Sequence, residues 1–267
     1  MIGEFNLKRL MIAVLTIPAM VYIGLAIAAY FYADNLIFQP QPSFYHDDSS
    51  IIKLTTEKGE RISAKYFQNP NAEYTILFSH GNAEDIGTAT SFLKELSRDR
   101  FSVFAYDYRG YGTSEGKPSE KNSYRDIDAA YDYLTGELKI SPEKIIVHGR
   151  SLGGAVSIDL ASRKTCGGLI IESSFVSAFR VLTNYKIFPF DKFSSLSKIN
   201  RVKCPILFIH GKKDNIIAFW HGEMLFAAAN EPKHSFWIYN AGHNNVFAVA
   251  KDGYLQTIKE FSVKINE

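Results

Sequence analysis

Residues 145–154 read Ile-Ile-Val-His-Gly-Arg-Ser-Leu-Gly-Gly. A short β-branched run meets Gly149-Arg150-Ser151-Leu152-Gly153, and residues 155–161 then read as a helix. A Gly-x-Ser-x-Gly pattern alone would arise by chance roughly 0.1 times in a chain this long. Its position between strand and helix makes it specific, because that context turns a serine into a nucleophile. The turn must be sharp enough to lift Oγ above a sheet, and Gly149 and Gly153 leave room for a strained backbone. The helix then starts under the serine, so its amide end faces any charge developing there.

The rest of the chain alternates around this turn. Residues 51–55 and 62–67 read as a hairpin about Lys58-Gly59. Residues 74–78, 101–106, 145–147, 169–171, 206–209 and 236–239 read as further strands. Between them, 85–96 and 119–134 have helical spacing, with Ile86, Phe92, Leu93 and Leu96 on one face of the first. Residues 222–229 and 251–263 complete the helices. Such alternation predicts an α/β fold: a mostly parallel sheet with helices on both faces. Sites in such sheets lie beyond the carboxyl ends of the strands.

Each relevant strand does end in a polar cluster. Residues 79–85 read Ser-His-Gly-Asn-Ala-Glu-Asp, 210–214 His-Gly-Lys-Lys-Asp, and 240–244 Asn-Ala-Gly-His-Asn. Ser151 is too weak an acid to attack unaided, so His243 is expected to take its proton and return it to a leaving group. Asp214 is expected to orient His243 and stabilise its cation. Glu172, ending the preceding strand, is the competing carboxylate, but the loop gives Asp214 more reach. The backbone amides of Leu152 and Asn82 are the expected oxyanion donors. His80 and His210 read as hydrogen-bonded turn supports, His148 as a satisfied core group and Arg150 as half of an ion pair. His-x-x-His and Cys-x-x-Cys spacings are absent, so no metal and no cofactor are expected.

Four segments carry a family resemblance over about residues 45–265: 78–85, Tyr-Asp-Tyr-Arg-Gly-Tyr-Gly-Thr-Ser-Glu-Gly at 106–116, Gly149–Gly154, and 210–214. With them the chain resembles α/β-hydrolase-fold serine hydrolases, and among these the small membrane-anchored group that includes eukaryotic protein depalmitoylases and bacterial hydrolases. The order Ser, Asp, His matches that fold. The resemblance implies cleavage of acyl esters or thioesters. One departure is visible: the depalmitoylases carry a cysteine-rich N-terminus for lipidation, and this chain has an apolar segment there. The glycines and Arg109 of 106–116 suit a tight, ion-paired loop beside the site.

That apolar segment spans residues 10–32, 23 residues without a charge. As a helix it would extend about 35 Å, against roughly 30 Å of hydrocarbon. Lys8 and Arg9 precede it and Asp34 follows it, which places the N-terminus in the cytoplasm and the domain on the other side. Ala26-Ile27-Ala28 also has the small-x-small form of a signal-peptide cleavage site. The expected division is therefore 1–32 anchor or signal peptide, 33–49 linker stiffened by Pro40 and Pro42, and 50–267 hydrolase domain. The net charge of +2 comes with no basic stripe, so nucleic acid is not an expected partner. The residues do not define an oligomeric state.

Residues 175–193 bridge two strands and contain Phe175, Phe179, Phe188, Phe190 and Phe193. They form a short lid rather than a cap domain. Phe175 and Phe179 are the expected lining of an acyl groove, or the segment simply covers the sheet. Cys166 lies six residues before Glu172 and Cys204 six before His210. If those strands are neighbours with level ends, the thiols face each other at the lower edge, as a disulfide or as two buried thiols. Two other functions fit parts of the pattern. Peptidases of related fold carry a gating domain ahead of the hydrolase, for which this chain has no room. A non-catalytic binding scaffold would not need all three of Ser151, Asp214 and His243.

Overall fold

The computed structural model describes residues 2–98 and 100–265, with side chains from residue 9 onward. Within these residues one sheet holds eight strands: β1 (Ile51–Thr55), β2 (Arg61–Phe67), β3 (Tyr74–Ser79), β4 (Phe101–Tyr106), β5 (Ile145–Arg150), β6 (Gly168–Glu172), β7 (Ile206–Gly211) and β8 (Lys233–Ile238). Their spatial order is β1-β2-β4-β3-β5-β6-β7-β8. β1 pairs with β2, and β2 with β4, antiparallel. From β4 to β8 every pair is parallel. β3, β4, β6 and β7 are buried along their whole length, and β5 up to Arg150. That is why these strands read as unbroken apolar runs and not as alternating ones.

Helices α2 (Ile86–Ser97) and α7 (Asp252–Lys264) cover one face, with the short α6 (Val246–Ala250) beside them. Helices α3 (Glu120–Gly136), α4 (Leu152–Ala161) and α5 (Trp220–Ala228) cover the other. Asp85 caps α2: its carboxylate accepts from the Thr88 amide, while the Thr88 hydroxyl sits 2.9 Å from the Asp85 amide. Ser119 caps α3 through the Asn122 amide. The expected α/β architecture is therefore present.

β8 starts three residues before the expected 236. Lys233, His234 and Ser235 pair with Ile206, Leu207 and Phe208. β8 is the edge strand, so these positions are not fully buried and carry no apolar signal.

Helix α1 (Ile2–Ile37) runs past residue 32 and absorbs the start of the expected linker. Its segment Arg9–Ile37 is long enough to cross a membrane; its most apolar 18 residues have a mean hydropathy of 2.4 and none of them is buried. Residues 38–45, just beyond the helix, are strapped to the domain rather than free. Phe38 is buried, the Phe44 amide donates to Asp85, and Tyr45 hydroxyl donates to Asp107.

The lid between β6 and β7 has only three short 3-10 turns. Asp191 holds it together, accepting from Ser177 Oγ at 2.6 Å and from the Phe179 amide at 2.9 Å. At the opposite edge of the sheet, Cys166 and Cys204 are free thiols with Sγ atoms 3.3 Å apart. Glu172 pairs with Ile209, one residue short of His210, and the thiols still meet below the neighbouring strands β6 and β7.

Candidate active site

Register levels the strand ends: Ser79 pairs with Gly149, Arg150 with Glu172, and Gly211 with Ile238. Loops that follow these strands therefore meet over one edge. Ser151 occupies the turn between β5 and α4 with φ 53° and ψ −115°. A non-glycine residue held there costs about 1–3 kcal/mol. Its amide donates to Glu172 carbonyl oxygen at 2.8 Å, and its carbonyl accepts from Ser174 Oγ at 2.9 Å. The flanking glycines are sterically required. A Cβ at Gly149 would meet Gly153 carbonyl oxygen, and one at Gly153 would meet that of Ser79.

The structure brings Ser151, His243 and Asp214 together. His243 Nε2 lies 3.0 Å from Ser151 Oγ, and His243 Nδ1 lies 2.7 Å from Asp214 Oδ2. Asp214 also accepts from the Ile216 and Ile217 amides at 2.9 and 2.7 Å. Burial favours the neutral carboxyl. Hydrogen bonds from His210 and His243, His243's charge and the Ile217 amide outweigh it and hold Asp214 well below the usual carboxylate range. An ionised Asp214 keeps the His243 proton on Nδ1, which leaves Nε2 free to accept from Oγ.

Glu172 is placed elsewhere. It accepts from Tyr254 hydroxyl at 2.6 Å and lies 3.2 Å from His148 Nε2, all three groups being buried. His148 Nδ1 has no partner among the described residues, so its ring is satisfied on one side only. His80 supports its turn through the Gly81 carbonyl at 2.7 Å. His210 does more than the expected turn support. Its Nε2 lies 2.9 Å from Ile217 carbonyl oxygen and 3.3 Å from Asp214 Oδ2, so it backs the carboxylate.

Leu152 opens α4 beside the serine, where a helix's first amides have no intrahelical partner. On the other side, a Cβ at Gly81 would lie 3.6 Å from Ser151 Cβ, so the Gly81-Asn82 loop borders the same point. Glu84 anchors that loop: it accepts from the Gly81 amide at 2.9 Å and pairs with Arg150. Arg150 in turn lies over the rings of Phe78 and Phe92. The ion pair expected of Arg150 has Glu84 as its partner, which sequence proximity does not disclose.

A mostly apolar cavity of about 600 Å³ opens from Ser151 and His243. Phe175 and Phe179 line it, with Ile216 and Ile217. Ala29, Ala33, Leu36 and Ile37 of α1 line it too, a contribution that no local pattern in the sequence signals. A second cavity of about 530 Å³ lies between β1 and α3 among paired charges such as Arg125–Glu57 and Lys164–Asp132, away from Ser151.

A serine on a strained strand-to-helix turn at the carboxyl edge of a parallel sheet defines the α/β-hydrolase class. A family model described as serine aminopeptidase, S33, matches residues 70–188. The human α/β hydrolase domain-containing protein 17B is 43% identical over 210 residues, covering 77% of this chain and 72% of that protein. The Mus musculus protein 17C is 44% identical over 219 residues, covering 80% and 68%. An esterase of Pyrococcus furiosus superposes with a TM-score of 0.71 at 19% identity, covering 85% of this chain and 98% of that one. The chain belongs to the family of α/β hydrolase domain-containing 17 proteins, and is a hydrolase of that fold.

Proposed function

We propose that the chain is a membrane-anchored serine hydrolase that cleaves acyl esters or thioesters through an acyl-enzyme. The observation that carries this reading is the continuous path Ser151–His243–Asp214 at the end of an apolar cavity. His243 takes the Ser151 proton as Oγ attacks the acyl carbonyl. The Leu152 and Asn82 amides receive the oxyanion. The same proton passes from His243 Nε2 to the departing alcohol or thiol, leaving the acyl group on Oγ. Water, deprotonated by His243, then releases the acid. Phe175 and Phe179 hold the acyl chain.

Lys8 and Arg9 ahead of the apolar helix support a single-pass arrangement with the domain on the non-cytoplasmic side. A reporter fused to the C-terminus would read that side directly.

The description of the family model favours a second reading, a serine peptidase. An aminopeptidase needs a free carboxylate to receive a substrate ammonium. Glu84 is the carboxylate lining the cavity, and it is already occupied by Arg150 and the Gly81 amide. That supports the esterase reading. Labelling with a fluorophosphonate, followed by paired assays on p-nitrophenyl acyl esters and aminoacyl p-nitroanilides, tests both. Ester turnover without anilide turnover is expected. Anilide turnover alone would establish the peptidase, and no labelling at Ser151 would leave a non-catalytic scaffold.

A further inference from the structure

The cavity beside Ser151 is not closed by the hydrolase domain alone. Ala29, Ala33 and Ile37 recur at four-residue spacing, so they share one stripe of α1, and that stripe forms a wall of the cavity. Two of the three are alanines, which leave width beside the helix. Facing them, Phe179, Leu182 and Phe188 of the lid form the other wall.

The lid is fastened to the same helix. Tyr22 hydroxyl donates to Ile187 carbonyl oxygen at 2.9 Å, and its ring meets Phe188 at 5.8 Å between centroids. Further along the helix, Tyr30 meets Phe190 edge-on at 5.5 Å. Lys192 pairs with Asp34 at 3.2 Å, outside the apolar stretch.

These contacts have a depth. If Arg9 marks one face of the bilayer, about 30 Å of hydrocarbon takes up roughly 20 residues of helix and ends near Ala29. Tyr22 then lies about 10 Å beneath the far surface. The part of the lid that touches it presents Leu182, Tyr185 and Ile187, which are 89%, 81% and 53% exposed. Water is a poor environment for three such side chains together, and the hydrocarbon is continuous with the exposed face of α1 they adjoin. The cavity wall on α1 begins at Ala29, where the helix leaves the apolar layer.

We propose that α1 is a wall of the acyl-binding site as well as an anchor, and that α1 and the lid frame a lateral portal through which an acyl chain passes from the bilayer to Ser151. This rests on the esterase reading above. The substrate class it selects is a long acyl chain in ester or thioester linkage whose tail stays in the membrane while its carbonyl reaches the nucleophile. No part of the chain need cross water, so the cost of exposing its methylenes is avoided.

The test uses the full chain in phosphatidylcholine vesicles and a fluorophosphonate carrying a long alkyl tail that ends in a diazirine. Ser151 takes the phosphonate, and light then fixes the tail to whatever surrounds it. Cross-links within residues 22–37 and 179–188 are expected. Cross-links confined to other parts of the chain, with Ser151 labelled, overturn the portal and leave the esterase reading standing. No labelling of Ser151 overturns both. As an independent measurement, Ala29→Trp should lower the ratio of dodecanoyl to butyryl ester turnover by about tenfold or more. An unchanged ratio in a protein that still reacts with the probe overturns the portal. A lysophospholipid and an S-acylated peptide in the same vesicles distinguish the carrier of the chain, and hydrolysis of neither overturns the portal.

Discussion

The side-chain amide of Asn82 donates to Ile37 carbonyl oxygen at 2.6 Å, joining the loop beside Ser151 to the last residue of α1. The same side chain accepts from the Gln39 amide at 3.1 Å and from Tyr111 hydroxyl at 2.6 Å. One residue thus satisfies a helix-end carbonyl, ties down the chain that leaves the helix, and supplies the amide proposed to bind the oxyanion.

Asn82→Ala removes the clamp and keeps the backbone amide. Displacing a catalytic group by about 1 Å costs up to about 10²-fold in rate. The expected result is a fall in kcat of about 10–10²-fold with a smaller change in KM. Steady-state kinetics on a short-chain ester would read the split, and an unchanged kcat would show that the clamp does not position the loop.

Ser151→Ala should lower kcat by about 10⁶-fold if the three groups act as a unit. Asp214→Asn should cost about 10⁴-fold, because the amide favours the wrong His243 tautomer. Retention of full activity in either variant would refute the mechanism.

Because Asp214 is held well below the usual carboxylate range, it stays ionised while the solution is acidified towards moderate pH. The proposed mechanism needs His243 Nε2 free to accept from Oγ, and Asp214 adds no second titration in that range. Activity is therefore lost on the acid side, with log(kcat/KM) falling at unit slope. A steeper limb would mean that a second group titrates. Asp214 also adds stability above its unfolded pKa of about 3.9, lost as pH falls through its lower folded value.

The 106–116 loop rests on a buried ion pair. Arg109 Nε lies 2.7 Å from Asp126 Oδ1, and neither side chain is exposed. Asp126→Ala leaves the guanidinium buried with less compensation, and should destabilise the fold by roughly 3–5 kcal/mol. Urea unfolding of the detergent-solubilised chain measures this, and a loss below about 1 kcal/mol would remove the pair's structural role.

Cys166 and Cys204 are close enough to bridge after a small movement. If the domain faces an oxidising compartment, thiol titration of denatured, unreduced protein from native membranes should find neither cysteine reactive. Two reactive thiols would count against both the bridge and the exported arrangement.

Much of the fold was legible because it is local. β3, β4, β5, β6 and β7 announce themselves as apolar runs, and Asp85 and Ser119 mark the starts of α2 and α3. β8 reads short because an edge strand's polar half has no hydrophobic pattern. Ser151, Asp214 and His243 could be placed as candidates because each follows a strand at the same edge. Glu172 ends one too, and only the side-chain directions send it to Tyr254 and His148.

By itself, the sequence determined the α/β alternation, the apolar helix and the serine's strained turn, since each depends on residues adjacent in the chain. The tertiary structure alone decided that His210 backs Asp214, that Arg150 meets Glu84, and that Ala29 and Ala33 border the serine's cavity. Those relationships depend on how helices and loops pack across the sheet. Packing is set by the shape and burial of many side chains at once, and no short stretch of sequence carries it.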